Sequence, residues 1–485
     1  MGIVLKQSFQ NTLITYLGFS IGAINVLFLY TNFMTEEYYG LVNVIVSAAL
    51  ILMPILAFGV PNTLVKFYSS VTDGKSMDGF LSMMLLLPLV LIIPIALLSY
   101  FAYDLITAAL SIENEMVKGY IWYIFKIAIA LAYFEVFYAW ARIRMKSVFG
   151  NFLKEIFTRI GQTALLLLLY FKVIDVHIFL TALVGLHVAR MLIMKCYAYS
   201  LRMPKVTFSF PKNASAIIKY SGLIILGGSA AVILLEVDKV MINQFIELKN
   251  VAYYSVAGFM AVAVAVPTRA MHQITYPLTA KLLNEKDTAG LRQLYQKSSL
   301  TLFIISGLLF LLLMLNLADI YALLPKSYSA GIQIVFWIGL AKVFDSSMGN
   351  SNSILYNSDY YRAILFMGVG LAILTILLNF WLIPTYGLNG AAIASFIAFF
   401  VYNLVKLFYI QKKFKMSPFT AATMKVSVLL LVTAFIFYFV QFQFHPLLNI
   451  GLKSVLMIVL YVGVLFRFKI SDDINGMIRK FQQRE

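Results

Sequence analysis

Residues 80–103 read FLSMMLLLPLVLIIPIALLSYFAY, with no charged side chain among them. About 20 such residues, coiled as a helix, cross a hydrocarbon core of about 30 Å. In lipid every backbone N–H and C=O must be bonded within the protein, which leaves helices or closed barrels. Barrel strands alternate apolar and polar positions over about ten residues, and this stretch is too long and too uniform for that. It is expected to be a membrane-spanning helix.

The same signature recurs along the chain. Runs lie near 7–30, 41–65, 80–103, 119–141, 152–171 and 176–199, then near 214–245, 251–279, 294–315, 329–350, 362–381, 386–410, 421–440 and 447–468. Composition agrees: 61% of the 485 residues are hydrophobic and 12% charged, with a mean hydropathy of +0.88. Soluble domains carry about a quarter charged residues. The expected fold is all-α and polytopic, with about fourteen transmembrane helices. No cleavable leader is expected, because the first run follows a single cation, Lys6, and is of full spanning length. The single cysteine, Cys196, excludes a cysteine-cluster metal site and is expected to be buried filler.

Loop charges orient the runs. With the N-terminus inside, the cytoplasmic connections hold Lys66 and Lys75; Arg142, Arg144, Lys146 and Lys154; Lys195, Arg202, Lys205, Lys212 and Lys219; and further groups at 281–297, 362 and 412–425. The tail adds Arg467, Lys469, Arg479, Lys480 and Arg484, whereas the opposite connections hold few cations beyond Lys118, Lys172, Lys249, Lys326 and Lys453. Lys and Arg collect on the cytoplasmic side of membrane proteins, so both termini are expected in the cytoplasm. The formal charge of +17 then needs no nucleic-acid partner.

A repeat is legible as well. Tyr38-Tyr39-Gly40 opens the second run and Tyr253-Tyr254-Ser255 the eighth; mid-run prolines follow at Pro54 and Pro267. Repeats of six helices, related by an axis along the membrane normal, are a recurrent transporter plan. The expected organisation is an N-terminal lobe over 1–200, a basic linker over 201–213, a C-terminal lobe over 214–411, and two further helices with a cytoplasmic tail over 412–485.

Four segments resemble the polysaccharide flippase branch of the multidrug/oligosaccharidyl-lipid/polysaccharide exporter superfamily. They are Phe58-Gly59 with Lys66-Phe67; Asp238-Lys239-Val240-Met241-Ile242 leading to Tyr253-Tyr254-Ser255; Ile383-Pro384-Thr385-Tyr386-Gly387-Leu388-Asn389-Gly390; and the basic connector before the seventh run. The resemblance implies a flippase in the bacterial inner membrane, moving a polyprenyl-(pyro)phosphate-linked oligosaccharide outward for lipopolysaccharide O-antigen or other surface polysaccharide. It implies membrane lipids and polysaccharide assembly proteins as further partners, and no enzyme activity. It also implies a sodium site on Asp238, Thr375, Asn379 and Ser395, with Glu236 as an alternative acid; a proton gradient is the other coupling source. The first run lacks the arginines of the lipid II flippases and offers only Asn11, Thr12, Thr15 and Asn25, which points away from the peptidoglycan precursor as cargo.

Charges inside the runs are few, and each needs a partner or a wet cavity. An anionic phosphate linkage requires cations, and arginine's planar fork suits its oxygens. Lys66, Arg159, Arg190, Arg269 and Lys342 are the candidate substrate contacts, and Glu135, Glu236, Asp238, Thr375, Asn379 and Ser395 the candidate coupling groups. Lys342 with Asp345, and Glu236 with Lys239, are three apart and can pair on one face; structural ion pairs fit that spacing equally well. Tyr133, Tyr138 and Trp140 are placed to stack on sugar faces or to pack in the core. Two rival functions stay open: a cation-coupled multidrug antiporter of the same fold, and an integral-membrane O-antigen polymerase or ligase. Antiporters of cations favour acid-rich cavities, and polymerases a large external loop. No nucleotide-binding motif is present.

Overall fold

The computed structural model describes residues 2–68, 74–207, 209–211 and 213–471. Lys212 of the linker, the tail cations Arg479, Lys480 and Arg484, and the side chains of Lys6 and Lys75 lie outside the described part. Among the described residues every regular element is helical. In chain order the long helices are α1 (2–33), α2 (36–67), α3 (Ser76–Phe101), α4 (Glu115–Arg142), α5 (148–170), α6 (Val176–Leu201) and α7 (Ala214–Phe245). They continue as α8 (Lys249–Asn284), α9 (Thr288–Leu315), α10 (Lys326–Ser347), α11 (Tyr361–Tyr386), α12 (Leu388–Phe414), α13 (Ala421–Tyr438) and α14 (Pro446–Arg467).

Eleven helical stretches among the described residues are long and apolar enough to cross a membrane. One of them, Tyr361–Phe414, turns at Gly387 into α11 and α12. Of α7 only the apolar part Ala214–Ile225 stands out, as a shorter helix, and α5 is diluted by Lys154, Glu155 and Arg159. The chain is a multi-pass helical membrane protein; fourteen crossings are more than apolar length alone establishes.

Packing gathers the chain into two compact units, Met1–Ala252 and a second beginning at Tyr253. The first takes in α7, which the sequence repeat assigns to the following half. The reason is a set of close contacts to α2 and to the residues just before α4. After Leu56 the backbone of α2 turns left-handed at Phe58 (φ 51°) and Gly59 (φ 63°). A Cβ at Gly59 would lie 2.3 Å from the Ser221 carbonyl oxygen of α7. Ser221 Oγ donates to the Phe58 carbonyl at 2.5 Å, and Thr63 Oγ1 donates to Ser221 Oγ at 3.0 Å. At the far end of α7, Asn114 Nδ2 donates to the carbonyls of Asn243 and Ile246 at 2.8 and 3.1 Å, occupying acceptors that a helix end leaves open. Gly59→Ala therefore combines positive-φ strain with a backbone clash. It is expected to destabilise the protein by at least about 2 kcal/mol, read as a lower unfolding midpoint in detergent; an unchanged midpoint contradicts this account of the α2–α7 contact.

The first unit's core packs Phe80, Met84, Phe134, Phe137 and Trp140. Trp140 is 1% exposed, so it packs in the core and offers no face to a sugar. Cys196, expected buried, is exposed on α6. It shares that outer face with Leu192 and Ile193, while Met194 and Ala198 turn inward; lipid solvates such a face as well as a core does.

In the second unit the α11–α12 hairpin depends on two glycines. Gly387 adopts φ +58°, and a Cβ at Gly390 would fall 2.0 Å from the Leu382 carbonyl oxygen. The last two helices pack on α9, where Ile304, Val426, Leu429, Tyr461 and Leu465 form one cluster.

Candidate functional site

The first unit concentrates ionisable groups on α4, α5 and α6. Their placement begins with the approach of α1 to α5. Gly18 and Gly22, four apart on α1, present a small-residue face of the kind that lets membrane helices come close. A Cβ at Gly18 would lie 2.7 Å from the Glu155 carbonyl oxygen, and one at Gly22 would lie 3.1 Å from the Arg159 guanidinium. Both helices are widened here by π-turns, Asn25–Leu29 in α1 and Leu153–Phe157 in α5. Such turns add a residue to a helical turn and re-aim the side chains beyond it. Asn25 is buried and locks the pair: its Nδ2 donates to the Arg159 carbonyl at 2.9 Å, and Thr163 Oγ1 donates to its Oδ1 at 2.7 Å. Of the neutral polar groups of α1, Asn25 is thus spent on holding α5.

With α5 so placed, Lys154 Nζ reaches Glu135 of α4 at 2.7 Å, and Arg159 pairs with Glu155 one turn before it at 3.3 Å. Arg190 of α6 donates to Thr158 Oγ1 at 3.1 Å and sets its guanidinium 4.2 Å from the Phe134 ring centroid. Arg142 stands 4.8 Å from the Tyr138 ring, and both Arg142 and Arg190 act electrostatically on Glu135. Four cations, Arg142, Lys154, Arg159 and Arg190, therefore face two acids, Glu135 and Glu155. Lys154 and Arg159 remain partly accessible, whereas Arg190 is only 6% exposed. The arrangement keeps a positive excess in a low-dielectric setting, where an arriving anion is attracted more strongly than in water.

Three sequence candidates, Glu135, Arg159 and Arg190, meet in this cluster. Lys154, assigned from sequence to a cytoplasmic loop, belongs to it as well, and Glu155 was not foreseen. Lys126, half a helical rotation from Glu135, faces outward. The others lie elsewhere. Lys66 sits 3.7 Å over the Tyr220 ring of α7. Glu236 pairs with Lys239 at 2.9 Å, as their spacing allows, and also accepts from Ser47 Oγ at 2.7 Å. Asp238 is buried on α7.

In the second unit Lys342 is buried with its ammonium 4.2 Å over the Phe399 ring. Asp345 has a partner on α12, Lys406, at 3.8 Å, and Lys406 Nζ also donates to Asn352 Oδ1 at 3.0 Å. Arg269 is exposed on α8, next to Thr268, whose hydroxyl meets that of Ser346 at 2.9 Å. Thr375, Asn379 and Ser395 are buried on α11 and α12, and Thr375 Oγ1 bonds the Leu371 carbonyl of its own helix.

The sequence matches the family described as polysaccharide biosynthesis protein over residues 4–283, more than half of the chain. The chain belongs to the polysaccharide biosynthesis protein family. The matched residues take in the whole α4–α6 cluster and the Phe58-Gly59 turn, and they end within α8. No curated protein sequence matches this polysaccharide biosynthesis protein. Among solved structures it is similar to the lipid II flippase MurJ in an inward closed conformation, with a TM-score of 0.73 and 16% identity over 95% of this chain and 99% of that one. It is also similar to an inward-facing multidrug resistance MATE transporter of the MOP superfamily, with a TM-score of 0.63 and 14% identity over 88% and 99% of the two chains. A MOP superfamily transporter from Pyrococcus furiosus aligns with a TM-score of 0.56 and 15% identity over 85% and 95%. At these identities the likeness is one of fold: this family member has the architecture shared by MurJ and the MATE transporters.

Proposed function

We propose that this chain is a flippase carrying a polyprenyl-(pyro)phosphate-linked oligosaccharide from the cytoplasmic to the outer leaflet of the bacterial inner membrane. The two six-helix halves would alternate access, serving O-antigen or other surface polysaccharide synthesis. One observation carries the reading: the excess of cations over acids on α4–α6. Arg159 and Lys154 are the accessible contacts for the phosphate linkage, each exchanging its acid partner for phosphate oxygens, and Arg190 holds positive charge behind them. Lys66, Arg269 and Lys342 are proposed as contacts outside this cluster. Family membership supports a polysaccharide cargo, and the MurJ-like fold supports a lipid-linked one. The P. furiosus transporter is described as having a binding pocket of reverse polarity, suggesting a different function; a basic cluster argues here, in the same way, against a pump for cationic drugs.

Purified protein in proteoliposomes should move a fluorescent polyprenyl-pyrophosphate glycan to a leaflet where a membrane-impermeant quencher reaches it. Export of cationic dyes with no glycan movement replaces this reading with the multidrug antiporter. Coupling to a sodium or proton gradient is part of the proposal. Thr375, Asn379 and Ser395 are the oxygen ligands offered by α11 and α12, and Asp238 and Glu236 the acids offered by α7; oxygen ligands suit a hard cation. Glycan movement unaffected by replacing sodium with choline at fixed pH excludes the sodium form.

Fourteen crossings with both termini cytoplasmic are likewise proposed. Glu113 and Asn213 are exposed, and neither side chain holds a helix end as Asn114 does. Glu113→Cys and Asn213→Cys, each in a Cys196→Ser background because the native thiol is exposed, should react with an impermeant reagent from opposite sides. Reaction of both from the same side removes the fourteen-helix topology.

A further inference from the structure

The second unit contains a polar cavity that the transport reading does not use. It has a volume of about 300 Å³ and is lined by the end of α9 and the residues after it (Met314, Asp319), the end of α13 and the residues after it (Tyr438, Gln441), and the start of α14 (Asn449, Lys453). Lys453 is 7% exposed although it is charged and lies two turns into a membrane helix. Its Nζ donates to the Leu315 carbonyl at 2.8 Å, and Asp319 is its electrostatic neighbour. Asn449 Nδ2 donates to Asp319 Oδ1 at 3.0 Å, fixing that carboxylate at the cavity wall. One cation and one anion thus share a small chamber, with donor capacity left on the ammonium and acceptor capacity on the carboxylate.

The depth of the chamber selects its occupant. It lies at the end of α14 opposite Arg467 and Lys469, beside exposed Tyr438, Phe439 and Phe444. Aromatic residues so grouped at a helix end mark the membrane–water interface, the level of lipid headgroups.

We propose that this cavity binds the headgroup of a zwitterionic ammonium–phosphate lipid, phosphatidylethanolamine in a bacterial bilayer. Asp319 receives the primary ammonium and Lys453 the phosphate. A neutral pair of protein charges matches a neutral headgroup, and a primary ammonium can donate to a carboxylate where a trimethylated one cannot. The α13–α14 pair then acts as a lipid-anchored element outside the transport helices, independently of what the protein carries.

The test uses the full chain, purified and delipidated in mild detergent, with the unfolding midpoint measured against added lipid. Phosphatidylethanolamine is expected to raise the midpoint by about 3–5 °C, and phosphatidylglycerol and phosphatidylcholine by clearly less. Asp319→Asn keeps the acceptor for Asn449 but should abolish the preference for phosphatidylethanolamine over phosphatidylglycerol. Lys453→Gln should lose the response to both; if that variant does not fold, the Asp319→Asn comparison decides alone. Equal shifts from the three lipids in the native protein, or an unchanged preference in Asp319→Asn, overturns the proposal. An equal shift from glycerophosphoethanolamine, which has the headgroup and no chains, overturns the assignment to a membrane lipid.

Discussion

Arg159→Ala is expected to reduce glycan export about ten- to a hundredfold while the protein still accumulates in the membrane. A charge-assisted hydrogen bond is worth about 1.5–3 kcal/mol, and each tenfold is about 1.4 kcal/mol, so that range corresponds to the net loss of one such bond. The fold should survive, because the part of Arg159 that holds α1 to α5 is its backbone carbonyl, which accepts from Asn25 whatever the side chain. The guanidinium lies 3.1 Å from where a Cβ at Gly22 would stand, so its removal opens space at one edge of the contact and leaves the rest in place. Arg159→Lys restores charge and not geometry, and should rescue export poorly. Measured together, surface glycan by immunoblot and membrane protein level separate loss of transport from loss of fold. Export at the native level by either variant, at normal abundance, removes Arg159 from the substrate path. Lys154→Ala is the companion case: it frees Glu135 as an unpaired carboxylate in the cluster and should repel the anion as well as lose a contact.

Much of the fold was legible because lipid imposes a simple demand, a bonded backbone inside an apolar sleeve. Every apolar run in the sequence coincides with a helix. The Phe58-Gly59 pair, noticed as a motif, proves to be the left-handed turn against Ser221. The candidate site was legible only in part. The fifth apolar run starts at residue 152, which puts Lys154 at its cytoplasmic end among the connection cations; the helix begins at Val148 and widens into a π-turn over Leu153–Phe157. Apolar periodicity cannot register an inserted residue, and that insertion brings Lys154 to Glu135. A signal was nevertheless present in Gly18 and Gly22, whose spacing marks a close helix contact. Pairing between distant helices was invisible for a different reason. Spacing along α10 offers Lys342 to Asp345 and gives no sign that Asp345 also meets Lys406 of α12, some sixty residues later, at 3.8 Å. Nor does a hydrophobic run distinguish a core face from a lipid face, which is why Cys196, expected inside, stands exposed on α6, and why the choice left open for Trp140 is made only by its packing in the core.

Lys406→Met is expected to destabilise the second unit by about 2–4 kcal/mol, the range for removing one member of a buried ion pair, set at its lower side because Asp345 is partly accessible. Lys406 is 1% exposed and fully enclosed, with its ammonium shared between Asn352 Oδ1 at 3.0 Å and Asp345 at 3.8 Å and lying 4.6 Å from the Tyr402 ring. Methionine fills nearly the same volume, so the loss reports charge and hydrogen bonding more than packing. It leaves Asn352 without its donor and Asp345 as a carboxylate with this partner gone, at a depth where lone charges are costly. Asp345→Asn in the same chain removes that charge, and the double variant should recover most of the lost stability. A structural pair behaves in this way because an apolar or neutral replacement of both partners is nearly neutral, whereas breaking one is not. The unfolding midpoints of the two single variants and the double variant close the cycle. Strict additivity of the two losses shows that Lys406 and Asp345 act independently, and the α10–α12 contact must then rest on the aromatic packing of Phe344 against Phe400, whose rings stand 4.9 Å apart.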